Sequence, residues 1–146
     1  MSFSTSRAIL FGDCDPAGIV YTPRIGYFVV EAVGDYLAHL LGGPGIRKIY
    51  QMGILPPARA LSIEFLAPMA WDELIDIHVS HQPPGNSSFT FVLEARNAQQ
   101  QVTFRASFTQ VCVDPESKQP VPLPQALREA LWVANTADQT KGAMAG

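Results

Sequence analysis

The longest helical pattern in the chain is PRIGYFVVEAVGDYLAHLLGGPG, residues 23–45. Apolar side chains recur in it at intervals of three and four residues, the spacing of one face of an α-helix. Pro23 suits the first turn, and the Gly-Gly-Pro-Gly run terminates the helix. Val29, Val30 and Val33 widen the apolar stripe, and a helix that is apolar on several sides is usually enclosed by other elements. We therefore predict a long buried helix here.

The segments around this helix predict an antiparallel sheet. Alternating apolar and polar residues are typical of strands covered on one face, and they occur at 60–65, 75–80, 89–96 and 102–109. A short apolar segment, 7–12, predicts a first strand, whereas 46–52 and 123–136 have helical patterns. The fold class is therefore α+β, a long helix against about five strands. We expect a single domain over residues 1–136 and a flexible tail at 137–146.

Composition bounds the class of protein. The 146 residues suit one domain, and 47% hydrophobic against 16% charged residues argues for a real core and against disorder. The formal net charge of −3 offers no general attraction for nucleic acid or anionic lipid, so neither is an expected partner.

Localisation follows from what the chain does not contain. No apolar run approaches the roughly 20 residues of a membrane span. Residues 1–7 are polar and lack the apolar region of a signal peptide. We therefore expect a cytoplasmic protein, in which Cys14 and Cys112 remain thiols. No Cys/His spacing predicts a metal site.

The most unusual segment is FGDCDPAGIVY, residues 11–21. It places two carboxylates and a thiol in a Gly/Pro loop before the long helix, whose first turn offers unpaired N–H groups and a positive dipole. A carboxylate there can attack a carbonyl or activate water while an N–H holds the oxyanion, which is what ester or thioester hydrolysis requires. Asp is also a common turn and cap residue, so local pattern alone leaves a structural role open.

The string GDCDPAGIVY, residues 12–21, and the helix after it resemble the 4-hydroxybenzoyl-CoA thioesterase family of hot-dog-fold proteins. The order of elements extends the resemblance, more weakly, over roughly residues 7–115. It implies the hot-dog fold, in which a five-stranded antiparallel sheet wraps a long helix. It also implies hydrolysis of an acyl-CoA thioester, with an aromatic acyl group such as benzoyl or 4-hydroxybenzoyl, to free acid and CoA. Homodimers with interfacial active sites, often paired into homotetramers, are expected, and no cofactor, because CoA is part of the substrate.

The resemblance also implies roles for single residues. The catalytic carboxylate is Asp15, as nucleophile or general base, and the carbonyl-polarising donor is the backbone N–H of Thr22. Asp13 would hold the loop by accepting backbone N–H groups. The predicted substrate-binding residues are Tyr21, Gly18, Glu31, Arg59, Ser87 and Ser88. For Glu31, an ion pair with an arginine is the alternative to contact with substrate.

The chain departs from the family pattern in two places. Residues 21–25 lack the second aromatic and the Asn-Tyr pair of many relatives. Residues 85–89 lack the basic cluster that lies beside the CoA nucleotide in the hydroxybenzoyl branch. Phosphate recognition is therefore expected from backbone N–H groups, from Ser or Asn side chains, or from Arg59, Arg96 and Arg105.

Two other readings remain open. The chain could act on short-chain acyl-CoA or on an acyl-carrier-protein thioester, or it could be a non-catalytic hot-dog module that binds acyl-CoA or a protein. A purely structural oligomerisation domain is the least favoured reading. Cys14 and the three histidines are predicted to be structural or surface residues.

Overall fold

Helix α1, Ile25–Leu41, is the central element of the computed structural model, which describes residues 3–132. A 3-10 turn over Thr22–Arg24 precedes it, and Gly42 ends it in the left-handed conformation, with its N–H bonded to the Ala38 carbonyl. The prediction of a long helix is confirmed. Its burial is not complete, because Val30 is 52% exposed and faces away from the core.

The sheet has five antiparallel strands in the order β1-β3-β4-β5-β2. Its strands are β1 Phe3–Ala8, β2 Ala58–Phe65, β3 Leu74–His81, β4 Ser88–Arg96 and β5 Val102–Val111. A short helix α2, Gly45–Gln51, packs against α1. The predicted fold class is confirmed.

The first strand was predicted too late in the chain. It spans Phe3–Ala8 rather than 7–12, and Phe11–Asp13 forms a 3-10 turn. Phe3–Ala8 is largely polar because it is an edge strand, with alternate residues half-buried against β3. The apolar residues that suggested a strand point in different directions, since Ile9 is buried whereas Leu10 and Phe11 are exposed.

The core lies between α1 and the inner faces of β3, β4 and β5. Helix α3, described over residues 125–132, closes one end of it with Leu127 and Leu131. His81 anchors α3, because its Nε2 lies 2.6 Å from the Leu131 carbonyl oxygen and its Nδ1 lies 2.8 Å from the Tyr36 hydroxyl. The rest of the predicted closing helix, 133–136, and the predicted tail, 137–146, lie outside the described residues.

Strand β2 is the least covered part of the sheet. It pairs with β5 along one edge and has no neighbour among the described residues along the other. All of its residues except Ile63 are exposed, among them Leu61 at 46% and Phe65 at 53%. A Cβ added to Gly26 would lie 3.8 Å from Leu61 Cδ2, so α1 and β2 meet along a seam. This α1–β2 seam leaves apolar surface open.

A buried carboxylate joins the first strand to the start of α1. Asp13 is 1% exposed and accepts hydrogen bonds from Arg7 Nη1 at 2.7 Å, Arg24 Nε at 2.8 Å and the Leu10 N–H at 2.9 Å. Arg7 also bonds Glu31 at 2.7 Å. The prediction that Asp13 holds the loop is confirmed, with two arginines added.

The pKa of Asp13 reflects this environment. Burial alone would raise it, but the hydrogen bonds from Arg7, from the Leu10 N–H and from Arg24 outweigh burial and lower the pKa from 3.8 to about 2. Between pH 4 and pH 2 the unfolded chain therefore binds a proton that the folded chain still excludes. Stability supplied by this group is present above pH 4 and is lost as the pH falls through that window.

We predict that Asp13→Asn lowers the free energy of unfolding at pH 7 by about 3 kcal/mol, because it removes the buried carboxylate that Arg7 and Arg24 share and leaves both half-buried guanidinium groups without it. The wild type should lose about 2 kcal/mol more than the variant between pH 4 and pH 2. Urea denaturation across that range measures both effects. Asp72→Asn, a change in an exposed loop carboxylate, is the control. Equal acid sensitivity in Asp13→Asn and wild type would contradict this role.

Candidate active site

The segment after Asp13 folds into a small hairpin. Cys14 and Val20 form an antiparallel bridge, and the Asp15 N–H donates to the Ile19 carbonyl at 2.9 Å. The chain reverses at Gly18, whose φ of +83° is a left-handed conformation that glycine adopts without strain. The predicted loop is thus an ordered turn with Asp15 at its base.

The Asp15 carboxylate is fixed by its own turn. Its Oδ1 accepts a hydrogen bond from the Ala17 N–H at 2.9 Å, and the side chain is half-buried. Within residues 3–132, no group donates to Oδ2. One oxygen therefore orients the carboxylate, and the other has no donor among the described residues.

Next to the hairpin lies a cleft of about 310 Å³ at one end of the α1–β2 seam, which we call the Asp15 cleft because the hairpin that carries Asp15 borders it. Its wall includes Ile19 from the hairpin, Thr22 and Ile25 from the helix start, and the segment 65–69. The Val20 N–H donates to the Met69 carbonyl at 2.8 Å, which fastens the hairpin to that segment. Asp15 itself is not part of the wall. It stands directly across the hairpin from Ile19.

Thr22 brings a free donor to this cleft. It is the first residue of the 3-10 turn before α1, and the first N–H groups of a helical segment have no partner inside it. No acceptor in the described part of the chain takes the Thr22 N–H. The structure thus places a carboxylate, an unpaired N–H and an apolar wall on adjacent segments, as attack on a carbonyl requires.

Gly18 and Tyr21 also lie at the hairpin, whereas Glu31 does not. Tyr21 is 58% exposed, and its N–H holds the hairpin by donating to the Asp13 carbonyl at 2.9 Å. Glu31 is ion-paired with Arg7 and borders a separate cleft of about 280 Å³. The arginine pair that the sequence left open is the observed arrangement.

The predicted phosphate contacts lie far from Asp15 within one chain. Arg59 is six residues along β2 from Phe65, about 20 Å at 3.3 Å per residue. Ser87 and Ser88 follow the far end of β3, whereas the hairpin contacts the segment before its start. A single subunit therefore does not bring these residues to the Asp15 cleft.

Arg96 and Arg105 are committed to an ion pair. Both guanidinium groups bond the Glu94 carboxylate, at 2.7 Å and 3.0 Å, on the sheet face opposite α1. Their hydrogen bonds lower the pKa of Glu94. Neither lies on the wall of the Asp15 cleft.

The thiols are poorly suited to act as nucleophiles. Burial raises the pKa of Cys14, and the charges of Asp13 and Asp15 raise it further. Burial also raises the pKa of Cys112 to about 11. The thiolate is the reactive form, so both environments disfavour reaction. Within residues 3–132, no group of three His, Cys, Asp or Glu side chains is arranged to hold a metal, and no helix has the length and hydropathy that a membrane crossing needs.

A second groove, of about 580 Å³, lies at the other end of the α1–β2 seam and was missed from the sequence. We call it the Gln110 groove; its lining residues are Val30, Ile46, Tyr50, Leu55, Pro56, Pro57, Gln110, Val113 and Lys118. Gln110 continues the inward-facing alternation of Phe104, Ala106 and Phe108 in β5. A polar residue at a core-facing position was the signal that could have revealed it.

Comparison with known proteins agrees with this architecture. A 1,4-dihydroxy-2-naphthoyl-CoA hydrolase from Thermosynechococcus vestitus is 28% identical over 122 residues, 83% of this chain and 82% of that protein. A hydrolase of the same name from Synechococcus elongatus is 25% identical over 93% of this chain and 98% of its own length.

Solved structures share the fold. A 1,4-dihydroxy-2-naphthoyl-CoA thioesterase from Synechocystis superposes with a TM-score of 0.80 at 23% identity, over 90% of this chain and 96% of that one. A 4-hydroxybenzoyl CoA thioesterase variant complexed with 4-hydroxybenzoyl CoA has a TM-score of 0.78 at 22% identity, over 89% and 98%. These likenesses confirm the hot-dog fold that the resemblance implied. The family model of the thioesterase-like superfamily matches residues 9–131, and the chain belongs to that superfamily.

Proposed function

We propose that this protein is an acyl-CoA thioesterase that hydrolyses an aromatic acyl-CoA to the free acid and CoA. The observation that carries the proposal is the Asp15 carboxylate, with one unpartnered oxygen, next to a cleft that holds the unpaired Thr22 N–H. The curated relatives support the substrate class, since they are hydrolases of 1,4-dihydroxy-2-naphthoyl-CoA, an aromatic thioester.

In the proposed reaction, the thioester carbonyl oxygen accepts a hydrogen bond from the Thr22 N–H. The partial positive charge at the helix start stabilises the oxyanion that forms as the carbonyl is attacked. Asp15 either attacks the carbonyl carbon, expelling CoA and leaving an anhydride for water to cleave, or removes a proton from an attacking water. Both routes yield the acid and CoA, and Ala17 keeps the carboxylate oriented in each.

We infer that the complete site needs a second copy of the chain. Strand β2 has a free edge and exposed apolar residues, and such an edge is a template for pairing. If two copies pair their β2 strands antiparallel about a two-fold axis near Leu61 and Ser62, residues 57–59 of each chain lie opposite Phe65 of the other. Arg59 of the partner subunit would then reach the mouth of the Asp15 cleft, where it can meet a CoA phosphate.

We predict that Asp15→Asn lowers kcat for an aromatic thioester by about 10³-fold or more, because a key catalytic group is lost. Free-thiol release should be measured with benzoyl-CoA, 4-hydroxybenzoyl-CoA, and short and long aliphatic acyl-CoA. Asp72→Asn is a matched control, since Asn tolerates the left-handed φ of 72° at that exposed position.

Three results would count against parts of this assignment. Unchanged turnover in Asp15→Asn would remove the catalytic role of that carboxylate. A preference for short aliphatic chains would replace the aromatic substrate. No turnover of any thioester by folded wild type would favour a binding module.

We predict that the wild type sediments as a dimer or a larger even assembly, and that Leu61→Arg is largely monomeric. The substitution places like charges on both sides of the proposed two-fold axis, and the exposed position of Leu61 allows the single chain to fold. The thioesterase activity of Leu61→Arg should fall together with the molecular mass of its assembly in solution. Light scattering measures the mass, and Ala98→Arg, on the exposed turn between β4 and β5, is the control. A fully active wild-type monomer would contradict the shared site.

A further inference from the structure

The side chain of Gln110 has an unmet hydrogen-bonding requirement beside a groove. It is 5% exposed, and its Nε2 donates to the Pro56 carbonyl at 2.9 Å. That bond fixes which end of the amide faces Pro56. The Oε1 atom is buried and accepts no hydrogen bond from any residue in the described range 3–132. A buried acceptor without a donor is costly and therefore calls for an explanation.

The local sequence explains why the protein does not supply this donor. The segment that crosses Gln110 is Leu55-Pro56-Pro57, and proline has no N–H to give. The Val111 N–H is already committed to the Pro57 carbonyl, at 3.0 Å. Lys118, at the same groove, donates one N–H of its ammonium group to the Pro115 carbonyl and none to Oε1. The remaining lining is mainly apolar, with the flat rings of Tyr50, Pro56 and Pro57.

We propose that Gln110 is a specificity-determining residue, whose Oε1 accepts a hydrogen bond from a hydroxyl or N–H group on the acyl part of the substrate. This role rests on the proposed thioesterase function and adds to it a preference for acyl groups that carry a hydrogen-bond donor. An acyl group with such a donor satisfies Oε1, whereas one without it leaves Oε1 unpaired. A site that hydrogen-bonds a substrate hydroxyl discriminates against the analogue that lacks it, because the buried acceptor is then left unpaired.

The geometry of the α1–β2 seam assigns Gln110 to the site of the other subunit. Within one chain, Thr22 and Val30 are eight residues apart, about 12 Å along the helix, so the Gln110 groove is too distant for a one-ring acyl group held at the Thr22 N–H. If two β2 strands pair antiparallel in this register, residues 55–57 of the partner subunit, which line its Gln110 groove, lie beside Phe65, which lines the Asp15 cleft. The carbonyl is then held by one chain and the acyl ring by the other.

The first experiment compares kcat/KM for 4-hydroxybenzoyl-CoA and benzoyl-CoA, which differ by one hydroxyl. The wild type should prefer the hydroxylated thioester by about 10-fold or more. Gln110→Met, similar in length and unable to accept this bond, should bring the ratio of the two kcat/KM values to about 1, chiefly by slowing the hydroxylated substrate. Gln99→Met, the same change on the exposed turn between β4 and β5, should keep the preference.

A second variant distinguishes loss of the hydrogen-bond acceptor from a folding defect. Gln110→Glu retains an acceptor at the same position, so it should keep a preference for the hydroxylated thioester even if its stability falls. A wild type that hydrolyses both thioesters equally, or a preference that survives Gln110→Met, would overturn the role of Gln110 and leave the thioesterase function standing. A folded wild type that hydrolyses no thioester at all, these two and the aliphatic ones included, would overturn both.

Mixed dimers test which chain Gln110 serves. Asp15→Asn and Gln110→Met chains, co-expressed with different affinity tags, form a heterodimer in which one site combines wild-type Asp15 with wild-type Gln110 of the partner subunit. That heterodimer should recover activity with the wild-type preference for the hydroxylated thioester. Activity without the preference would show that Gln110 acts on its own chain's site and would overturn the shared arrangement.

Discussion

The arrangement of the candidate site depends on one buried carboxylate. Asp13 binds Arg7 of β1, Arg24 before α1 and the Leu10 backbone at once. None of these partners can move away without leaving a buried charge uncompensated, which is far more costly than the loss of a surface pair. The hairpin that follows therefore has a fixed position relative to the helix start. Asp13 sets the geometry of the candidate site without lining the cleft.

A second constraint is that one chain leaves part of α1 and most of β2 uncovered. Strands β3 and β4 bury one face each against α1, whereas β2 at the edge meets α1 only along the seam and is exposed at every residue except Ile63. The outward side of α1, with Tyr27 and Val30, is open as well. Apolar surface of this extent on one side of a small domain is typical of a surface that another protein copy covers. The folding of one chain is thus separate from the covering of this apolar surface.

The sequence predicted what depends on local pattern. The helix, its Gly42 terminus and four of the strands follow from periodicity and turn residues, and the motif at residues 12–21 marked the hairpin. The first strand was displaced, because its edge position allows polar residues that hide the alternation. The order of the strands in the sheet could not be predicted from periodicity, since each strand has the same alternation of apolar and polar residues whichever strand it pairs with.

What the sequence did not show about the candidate site has the same origin. Ser87 and Ser88 lie at the opposite end of β3 from the hairpin, and this separation can be predicted only once the strand order β1-β3-β4-β5-β2 is known. The partners of Asp13 were missed because Arg7 and Arg24 are 17 residues apart and only the fold unites them. Gln110 was passed over because one glutamine at the end of a strand carries no local signature.

The two clefts lie apart along the α1–β2 seam, so the residues of one can be substituted during evolution without changing the other. The groups proposed to act on the carbonyl belong to residues 13–22, and the walls of the Gln110 groove come from other parts of the chain. If the groove holds the acyl group as proposed, substitutions in it can alter which acyl group is accepted while the proposed reacting groups stay untouched. Where a duplicated gene yields two diverged copies in one cell, a hybrid dimer would carry two unlike sites. Two genes could then supply three enzymes.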